Sequence, residues 1–190
     1  MLILGIDPGL RITGYGCIRI AGGGPELVEA GVFRLGKTTA GMAAATVSAR
    51  LLEVDADFRA LLDRLRPQAV AVEGLFSHYN HPATAIVMGH ARGVMLLAVV
   101  QAGIKLLELK PTEVKKSLTG YGHADKSQVQ RAIQTQFGLA ELPSPPDLAD
   151  ALAIALCASQ RLAMGAAVGE VARRSRVSAR RLPKHLLSGA

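Results

Sequence analysis

Four acidic residues of this chain stand where predicted secondary-structure elements end or begin. Asp7 closes an apolar strand, LILGI, and Glu73 closes another, QAVAVEG. Asp147 and Asp150 lie three residues apart at the start of an apolar helix, so both occupy one face of it. Converging carboxylates are oxygen ligands suited to Mg²⁺ or Mn²⁺. Two such ions about 4 Å apart are common machinery for in-line cleavage of a phosphodiester bond.

Three of the four acids also have a purely structural interpretation, and only Asp150, which lies further along an apolar helix, has none. The DPG sequence at residues 7–9 matches the residue preferences of a β-turn. Asp147 can belong to a helix start in which Ser144 is the N-cap. Glu73 can be a solvated acid at a strand end. The occurrence of all four acids at element ends favours a metal site over four separate structural roles.

The elements that must position these acids form an α/β pattern. The first 35 residues predict an antiparallel meander of three strands, at 2–7, 13–20 and 26–35. Two further predicted strands, 68–73 and 104–110, alternate with helices. Helical periodicity and stop signals predict helices over 51–65, 82–102, 111–118, 126–137 and 145–164.

A meander followed by βα units predicts a mixed five-stranded sheet flanked by helices on both faces. Right-handed crossovers would place the strand at 68–73 parallel to the first strand and beside it. Asp7 and Glu73 would then emerge at one edge of the sheet, where α/β proteins place their sites.

The composition is that of one globular domain followed by a basic tail. With 190 residues, of which 49% are hydrophobic and 19% charged, the chain can bury a sizeable core. The net charge is +7, and residues 166–190 alone carry +5. We therefore predict a domain over 1–165 and a flexible basic tail over 166–190. The tail suits a polyanion such as nucleic acid, although a merely solvated end has the same composition.

Several features indicate a cytoplasmic protein without a membrane anchor. The two cysteines, Cys17 and Cys157, lack any motif spacing, which favours a reducing compartment. The N-terminal apolar run stops at Asp7 without a preceding basic region, so no signal peptide is expected. The most membrane-like stretch, 85–104, is interrupted by polar residues and is too short to cross a bilayer. Because it is apolar on more than one face, we expect a helix that is buried or shared with a partner.

Five motifs, taken in order, resemble those of the RuvC family of bacterial Holliday-junction resolvases. They are GIDPGLRITGYG, VEGLF, GHARG, KPTEVKKSLTGYGHADKSQV and DLADALAIAL, and they span residues 1 to about 163. The resemblance implies a ribonuclease H-like fold, which agrees with the strand order above. It also implies an Mg²⁺-dependent endonuclease, a homodimer that resolves four-way DNA junctions in recombination and repair by symmetric nicks in two opposing strands.

The same resemblance assigns roles to individual residues and partners. By motif position, the catalytic and metal-binding acids of the family correspond to Asp7, Glu73, Asp147 and Asp150. Its DNA-binding residues correspond to Phe76, Lys115 and Lys126. The implied cofactor is Mg²⁺, two ions per site, with Mn²⁺ as a substitute. The implied partners are the junction DNA, a second copy of the chain, and the RuvA and RuvB branch-migration proteins.

From the residues alone, the DNA-binding assignments have alternatives. Phe76 can stack on an unpaired base, a contact worth about 1–3 kcal/mol, or anchor its loop on the core. Lys115 and Lys126 suit phosphate contacts, but a solvated surface carries lysines too. The chain also departs from its relatives at Tyr79, where a basic residue is common, and at His90, where Gln is common.

Three other functions are compatible with parts of the pattern. An actin-like ATPase also places phosphate loops after an acidic strand end, but it needs two lobes and this chain is long enough for one. A junction-binding protein without nuclease activity would not need all four acids. A ribonuclease H-like nuclease acting on RNA is the nearest alternative, and a comparison of RNA and DNA substrates would separate it.

Overall fold

The computed structural model describes residues 1–9, 11–34, 46–74 and 82–180, with side chains in these ranges except at 82–84 and 166–180. In chain order, the elements are β1 (Leu2–Asp7), β2 (Ile12–Ala21), β3 (Gly24–Arg34), α1 (Val47–Leu65), β4 (Ala69–Glu73), α2 (Pro82–Gln101), β5 (Lys105–Leu109), α3 (Pro111–Thr119), α4 (Lys126–Phe137) and α5 (Pro146–Arg180).

The strands form one mixed sheet in the order β3-β2-β1-β4-β5. The strands β1, β2 and β3 are antiparallel neighbours, and β4 and β5 continue the sheet in parallel with β1. A two-residue turn, Gly22–Gly23, joins β2 to β3. The predicted meander followed by parallel βα units is therefore confirmed, including the placement of β4 directly beside β1.

One face of the sheet packs against α1 and α2. The hydrophobic cluster on this face consists of Leu4, Ile6, Cys17, Val54, Phe58, Leu61, Leu62, Val70, Val72, Met95, Ala98 and Val99. Its strand members alternate along β1 and β4, as expected when successive side chains point to opposite faces. Asp7 and Glu73, which follow Ile6 and Val72, consequently belong to the other face.

The helix α5 covers that second face at unusually close range. A Cβ atom placed at Gly5 would lie 2.1 Å from the carbonyl oxygen of Ala151, and one at Gly14 would lie 2.1 Å from that of Asp147. A Cβ atom placed at Gly16 would lie 2.7 Å from a leucine side chain of α5. Only glycine leaves room for a helix backbone at these distances. These three residues, the glycine strip, therefore seat α5 on β1 and β2.

The last helix is longer than the predicted 145–164, because α5 continues to Arg180. Neither Gly165 nor Gly169 ends it, and the Ala- and Arg-rich residues that follow favour helix. The chain divides into two compact units, Met1–Ala158 and Ser159–Ala190, and the sheet lies in the first. The predicted domain boundary at 165 and the flexibility of the basic tail stay predictions.

By length and composition alone, one stretch of the described residues is apolar enough to cross a membrane. It is Pro146–Gly165 of α5, and half of its apolar window is buried inside the protein. The stretch around α2 that the sequence singled out forms only a shorter apolar helix, Ala85–Gln101. A buried core helix meets the same criterion, and the packing of α5 on the glycine strip is of that kind.

The substitution Gly14→Ala tests the glycine strip. The added methyl group meets helix backbone, which cannot rotate away, so we expect the free energy of unfolding to fall by about 1–3 kcal/mol. Gly23→Ala, in the β2–β3 turn with nothing within 4 Å of its Cβ position, is the matched control. Thermal denaturation followed by circular dichroism measures both. Equal melting temperatures for the two variants would contradict a close-packing constraint at Gly14.

Candidate active site

A pocket of about 390 Å³ lies at the carboxyl ends of β1 and β4. Its lining includes all four acids singled out by the sequence, namely Asp7, Glu73, Asp147 and Asp150. It also includes two of the predicted DNA-binding residues, Lys115 and Lys126. Residues from five separate elements thus meet in one cavity, although up to about 140 positions separate them in the sequence.

The parallel pairing of β1 and β4 brings the first two acids together. Ile6 pairs with Val72, so the next residue of each strand, Asp7 or Glu73, leaves the sheet at the same level. Both point to the face that carries α5, because both follow a residue of the opposite core. The pairing register of β1 and β4 therefore brings these two carboxylates together, as the sequence predicted.

A buried hydroxyl group fixes the turn that follows Asp7. The side chain of Thr13 is fully buried, and its Oγ1 donates to the Gly9 carbonyl oxygen at 2.6 Å. Thr13 Oγ1 also accepts the Gly9 N–H at 3.1 Å. The chain also passes close to itself here, because a Cβ at Gly9 would lie 2.0 Å from the carbonyl oxygen of Ile12. Asp7 therefore both begins this fixed turn and lines the pocket.

Glu73 is held by contacts to its own backbone. The N–H of Gly74 donates to the carbonyl oxygen of Leu109 at 2.8 Å, which ties the end of β4 to β5. On α2, Arg92 Nε donates to the carbonyl oxygen of Glu73 at 3.0 Å. The Arg92 guanidinium also forms an ion pair with Glu108 of β5. One arginine thereby links the end of β4 to both neighbouring elements and fixes where the Glu73 side chain begins.

The other two acids come from the start of α5. The helix begins at Pro146, and Asp147 is in its first turn. The alternative start with Ser144 as N-cap differs from the structure by one residue, because the helix begins at Pro146 and not at Pro145. The carbonyl oxygen of Pro145 accepts the N–H of Leu148 at 3.1 Å. The position of Asp147 is thus fixed by the contact of its own backbone with the glycine strip.

Helix capping places a lysine beside Asp150. Asp125 is the N-cap of α4: it accepts the Gln128 N–H, while the Gln128 side chain accepts the Asp125 N–H. This reciprocal capping box makes Lys126 the first helical residue. Its Nζ lies 3.8 Å from Asp150 Oδ2, and its side chain is largely exposed. The contact is a weak ion pair that leaves most of the ammonium group available to solvent or ligand.

Burial and mutual repulsion make the carboxylates reluctant to ionise together. Burial, followed by the charges of Asp150, Glu73 and Asp147, raises the pKa of Asp7 from 3.8 to about 8. Burial and the charge of Asp150 raise the pKa of Glu73 to about 7, although Lys115 and Lys126 oppose that rise. The pocket therefore holds an excess of negative charge that its two lysines offset only in part.

Asp150 shows the same balance on α5. Burial raises its pKa, the nearby Lys126 and Lys115 lower it, and Asp147 raises it further, with a net upward shift. Clusters of carboxylates with raised pKa values are common at metal and catalytic sites. A bound cation would lower the electrostatic cost of ionising all of them.

Comparison with known proteins matches this arrangement to one family. A sequence model described as "Crossover junction endodeoxyribonuclease RuvC" matches residues 3–158 of the chain. The chain belongs to the RuvC family. The family member from Heliobacterium modesticaldum is 42% identical over 167 residues, which cover 88% of this chain and 99% of the relative.

Solved structures of RuvC agree with the fold. The Thermus thermophilus RuvC structure is 36% identical and superposes with a TM-score of 0.74, covering 87% of this chain and 97% of the other. A second structure, of T. thermophilus RuvC in complex with Holliday junction substrate, also has a TM-score of 0.74, at 32% identity and the same coverage. The ribonuclease H-like fold expected from the RuvC resemblance is thus confirmed.

Some of the residues that the RuvC resemblance singled out lie outside the described part of the chain. Phe76 and Tyr79 belong to the segment 75–81, which is outside the described residues. His90 is described, and it is exposed on α2. Among the described residues, no three His, Cys, Asp or Glu side chains form, as they stand, a group that could hold a metal ion. The four acids surround the pocket rather than meeting at one point.

Sequence reasoning missed the residues that position the acids. Thr13 and Arg92 were not singled out, although each acts on the backbone next to a carboxylate. The glycine strip was also missed. Its signal was present in the alternation TGYG at residues 13–16, where glycines replace the residues that would face one side of a strand.

The raised pKa values predict how the stability of the metal-free protein depends on pH. Asp7 and Glu73 bind protons more tightly in the folded chain than in the unfolded chain. These two groups therefore stabilise the fold most below their unfolded pKa values near 4, and their contribution falls as pH rises towards 7–8. In EDTA, we expect the free energy of unfolding to be at least about 1 kcal/mol lower at pH 8.5 than at pH 5.

Asp7→Asn removes the main source of this dependence. In EDTA at high pH, we expect the variant to melt at a higher temperature than wild type, and the two to converge near pH 5. Asp57→Asn, at an exposed position on α1, is the control and should melt like wild type throughout. A wild-type stability that rises from pH 5 to pH 8.5 would show that the carboxylates do not repel one another as inferred.

Proposed function

We propose that the carboxylate pocket is the catalytic site through which this RuvC-family crossover junction endodeoxyribonuclease cuts four-way DNA junctions in recombination and repair. The observation that carries the proposal is the meeting of Asp7, Glu73, Asp147 and Asp150 in one pocket on one face of the sheet. In this role, the pocket would hold the scissile phosphate, and cutting two opposing strands would resolve the junction.

The donor set of the pocket fits Mg²⁺, and we propose two ions per site with Mn²⁺ as a substitute. The four acids offer only carboxylate oxygens, which are hard ligands, and burial together with neighbouring carboxylates raises the pKa of Asp7, Glu73 and Asp150. Because they do not form a preformed ligand group, their side chains would have to draw together on binding. When bound, such ions supply an activated water and stabilise the leaving oxygen.

The lysines of the pocket have a complementary role in the proposal. Lys115 and Lys126 lower the pKa of Glu73 and Asp150, so they favour the ionised carboxylates. Their ammonium groups can also contact phosphate oxygens of the substrate and so orient the strand to be cut. The exposure of Lys126 leaves it free to exchange its weak pairing with Asp150 for such a contact.

Cleavage of a synthetic four-way junction tests the catalytic role of the acids. We expect paired symmetric nicks with Mg²⁺ or Mn²⁺, none in EDTA, and no comparable cutting of linear duplex or structured RNA. Asp7→Asn should slow cutting at least about 100-fold, because metal charge stabilisation is worth several kcal/mol. Junction binding should remain near wild type, since the variant retains the lysines.

The exposed Asp57 again provides the control, because Asp57→Asn changes the same chemical group outside the pocket. It should cut at the wild-type rate. Normal cutting by Asp7→Asn would show that the pocket is not the catalytic site. Junction binding without cutting under either metal would leave a junction-binding protein.

We also propose a homodimer, supported by an exposed apolar stripe on α2. Ile86, Leu97 and Val100 are 61%, 54% and 62% exposed, and their spacing puts them on one face of the helix. An apolar face of this kind is costly to leave in water. A two-fold dimer would also match the symmetry of a four-way junction that is cut on two opposing strands.

Leu97→Glu tests whether this stripe joins two copies. A charge placed in the stripe should convert a dimer into monomers in sedimentation velocity and abolish the pairing of nicks. Leu52→Glu, at an exposed position on α1, is the control and should leave the dimer intact. A wild-type chain that sediments as a monomer, or a Leu97→Glu variant that remains dimeric, would contradict the assignment.

Three expectations from the sequence remain predictions. They are the cytoplasmic location, the association with RuvA and RuvB, and the contribution of the basic tail to DNA binding. The tail prediction is that deletion of residues 166–190 reduces the salt dependence of junction binding, because fewer counterions are released.

A further inference from the structure

One aromatic side chain of this chain is placed unlike the others. Among the Tyr and Phe residues whose side chains are described, only Tyr121 is exposed, at 60%. It lies in the short loop between α3 and α4, beside His123, which is also exposed. The two rings form an edge-to-face pair, with centroids 5.7 Å apart and an interplanar angle of 62°. This aromatic pair presents flat surfaces to solvent without covering the core.

The loop that carries the aromatic pair is held in one conformation. Gly120 ends α3 with a left-handed residue, and Asp125 begins α4 as the N-cap. Between them, the Thr119 hydroxyl accepts the Tyr121 N–H at 3.2 Å and lies 2.9 Å from the Tyr121 carbonyl oxygen. Ala124 is buried, and its N–H donates to the same carbonyl at 3.3 Å. A fixed loop spends little conformational entropy on binding.

The loop also lies next to the catalytic pocket. Gly122, between the two aromatic residues, approaches α3 so closely that a Cβ there would lie 3.2 Å from the Thr112 carbonyl oxygen. Thr112 follows Pro111, which lines the pocket. On the other side, three residues beyond His123, Lys126 lines the pocket as well. The loop that carries the aromatic pair is therefore joined to the pocket lining in two ways. Gly122 contacts α3 beside Pro111, and the chain itself leads on to Lys126.

The surroundings are basic, as a nucleic-acid surface requires. From residue 110 to residue 131, the chain carries five basic residues and two acidic ones. One of the acids, Asp125, is occupied as the cap of α4. Positive charge next to exposed aromatic rings is the combination with which proteins hold single-stranded or unstacked nucleotides.

We infer that the Tyr121–His123 pair is a stacking platform for an unstacked nucleobase of the DNA substrate, close to the phosphate to be cut. The inference rests on the proposed function, because it presumes that DNA enters the pocket. Turning a base out of its stack costs least where its pairing is already weakened, so a base at the branch point is the expected occupant. Every base has a π-face, so such a platform would tolerate many sequences.

The absence of tryptophan from the chain allows a direct test. Tyr121→Trp keeps a stacking surface and introduces a single fluorophore, whose emission is quenched when a base stacks on it. In an Asp7→Asn background with Mg²⁺, which prevents cutting, we expect saturating junction to quench this emission, and linear duplex to quench it less. Leu52→Trp, exposed on α1, is the matched control and should not respond.

Binding measurements complete the test. Tyr121→Ser should weaken junction binding about 5- to 150-fold, the range for loss of one base-stacking contact. Tyr121→Trp should bind like wild type. Since Tyr121 is exposed, the melting temperature of both variants should stay near that of wild type, which separates lost stacking from misfolding.

Each outcome decides between the proposals. If the wild type binds and cuts junctions but Tyr121→Trp is not quenched, the stacking platform is overturned and the catalytic proposal stands. Weaker binding by Tyr121→Ser without quenching in Tyr121→Trp would also overturn it, since the contact would then not be stacking. If the wild type neither binds nor cuts junctions, the proposed function fails and the platform falls with it.

Discussion

The close seating of α5 on the glycine strip is the constraint on which the site depends. Where Gly5, Gly14 and Gly16 leave the sheet without side chains, the helix backbone approaches the strands directly. The contact at Gly14 is with the backbone of Asp147 itself, so the sheet sets the height of that acid above the end of β1. A larger residue on the strip would lift the helix and separate two carboxylates from the other two.

That geometry concentrates negative charge at the cost of stability. The sheet register brings Asp7 and Glu73 side by side, and α5 adds Asp147 and Asp150 to the same pocket. Such a cluster persists only because the surrounding structure is fixed by other interactions, here the α1–α2 core and the contacts made by Thr13 and Arg92. Buried, mutually repelling carboxylates of this kind are common at functional sites.

The two sides of the pocket are built differently. The carboxylate side comes from the sheet and α5, whose interiors are rigid and tightly packed. The lysine side comes from α3 and α4, where the side chain of Lys126 remains largely exposed. This division suits an enzyme that must hold its reacting groups fixed while a large DNA substrate enters from one side. The family member from T. thermophilus, solved with Holliday junction substrate, shares the fold at a TM-score of 0.74.

The sequence alone predicted the order of the elements and the four acids that the pocket brings together. Apolar periodicity and the stop signal at Gly138 predicted α3 and α4 to within a residue, because both are local features of the sequence. Strand alternation and crossover handedness predicted that Asp7 and Glu73 would share an edge. Only the tertiary structure decided how the acids are held. The glycine strip, Thr13 and Arg92 act across the fold, and no local pattern shows that a glycine faces a helix or that a guanidinium reaches a carbonyl 19 residues away.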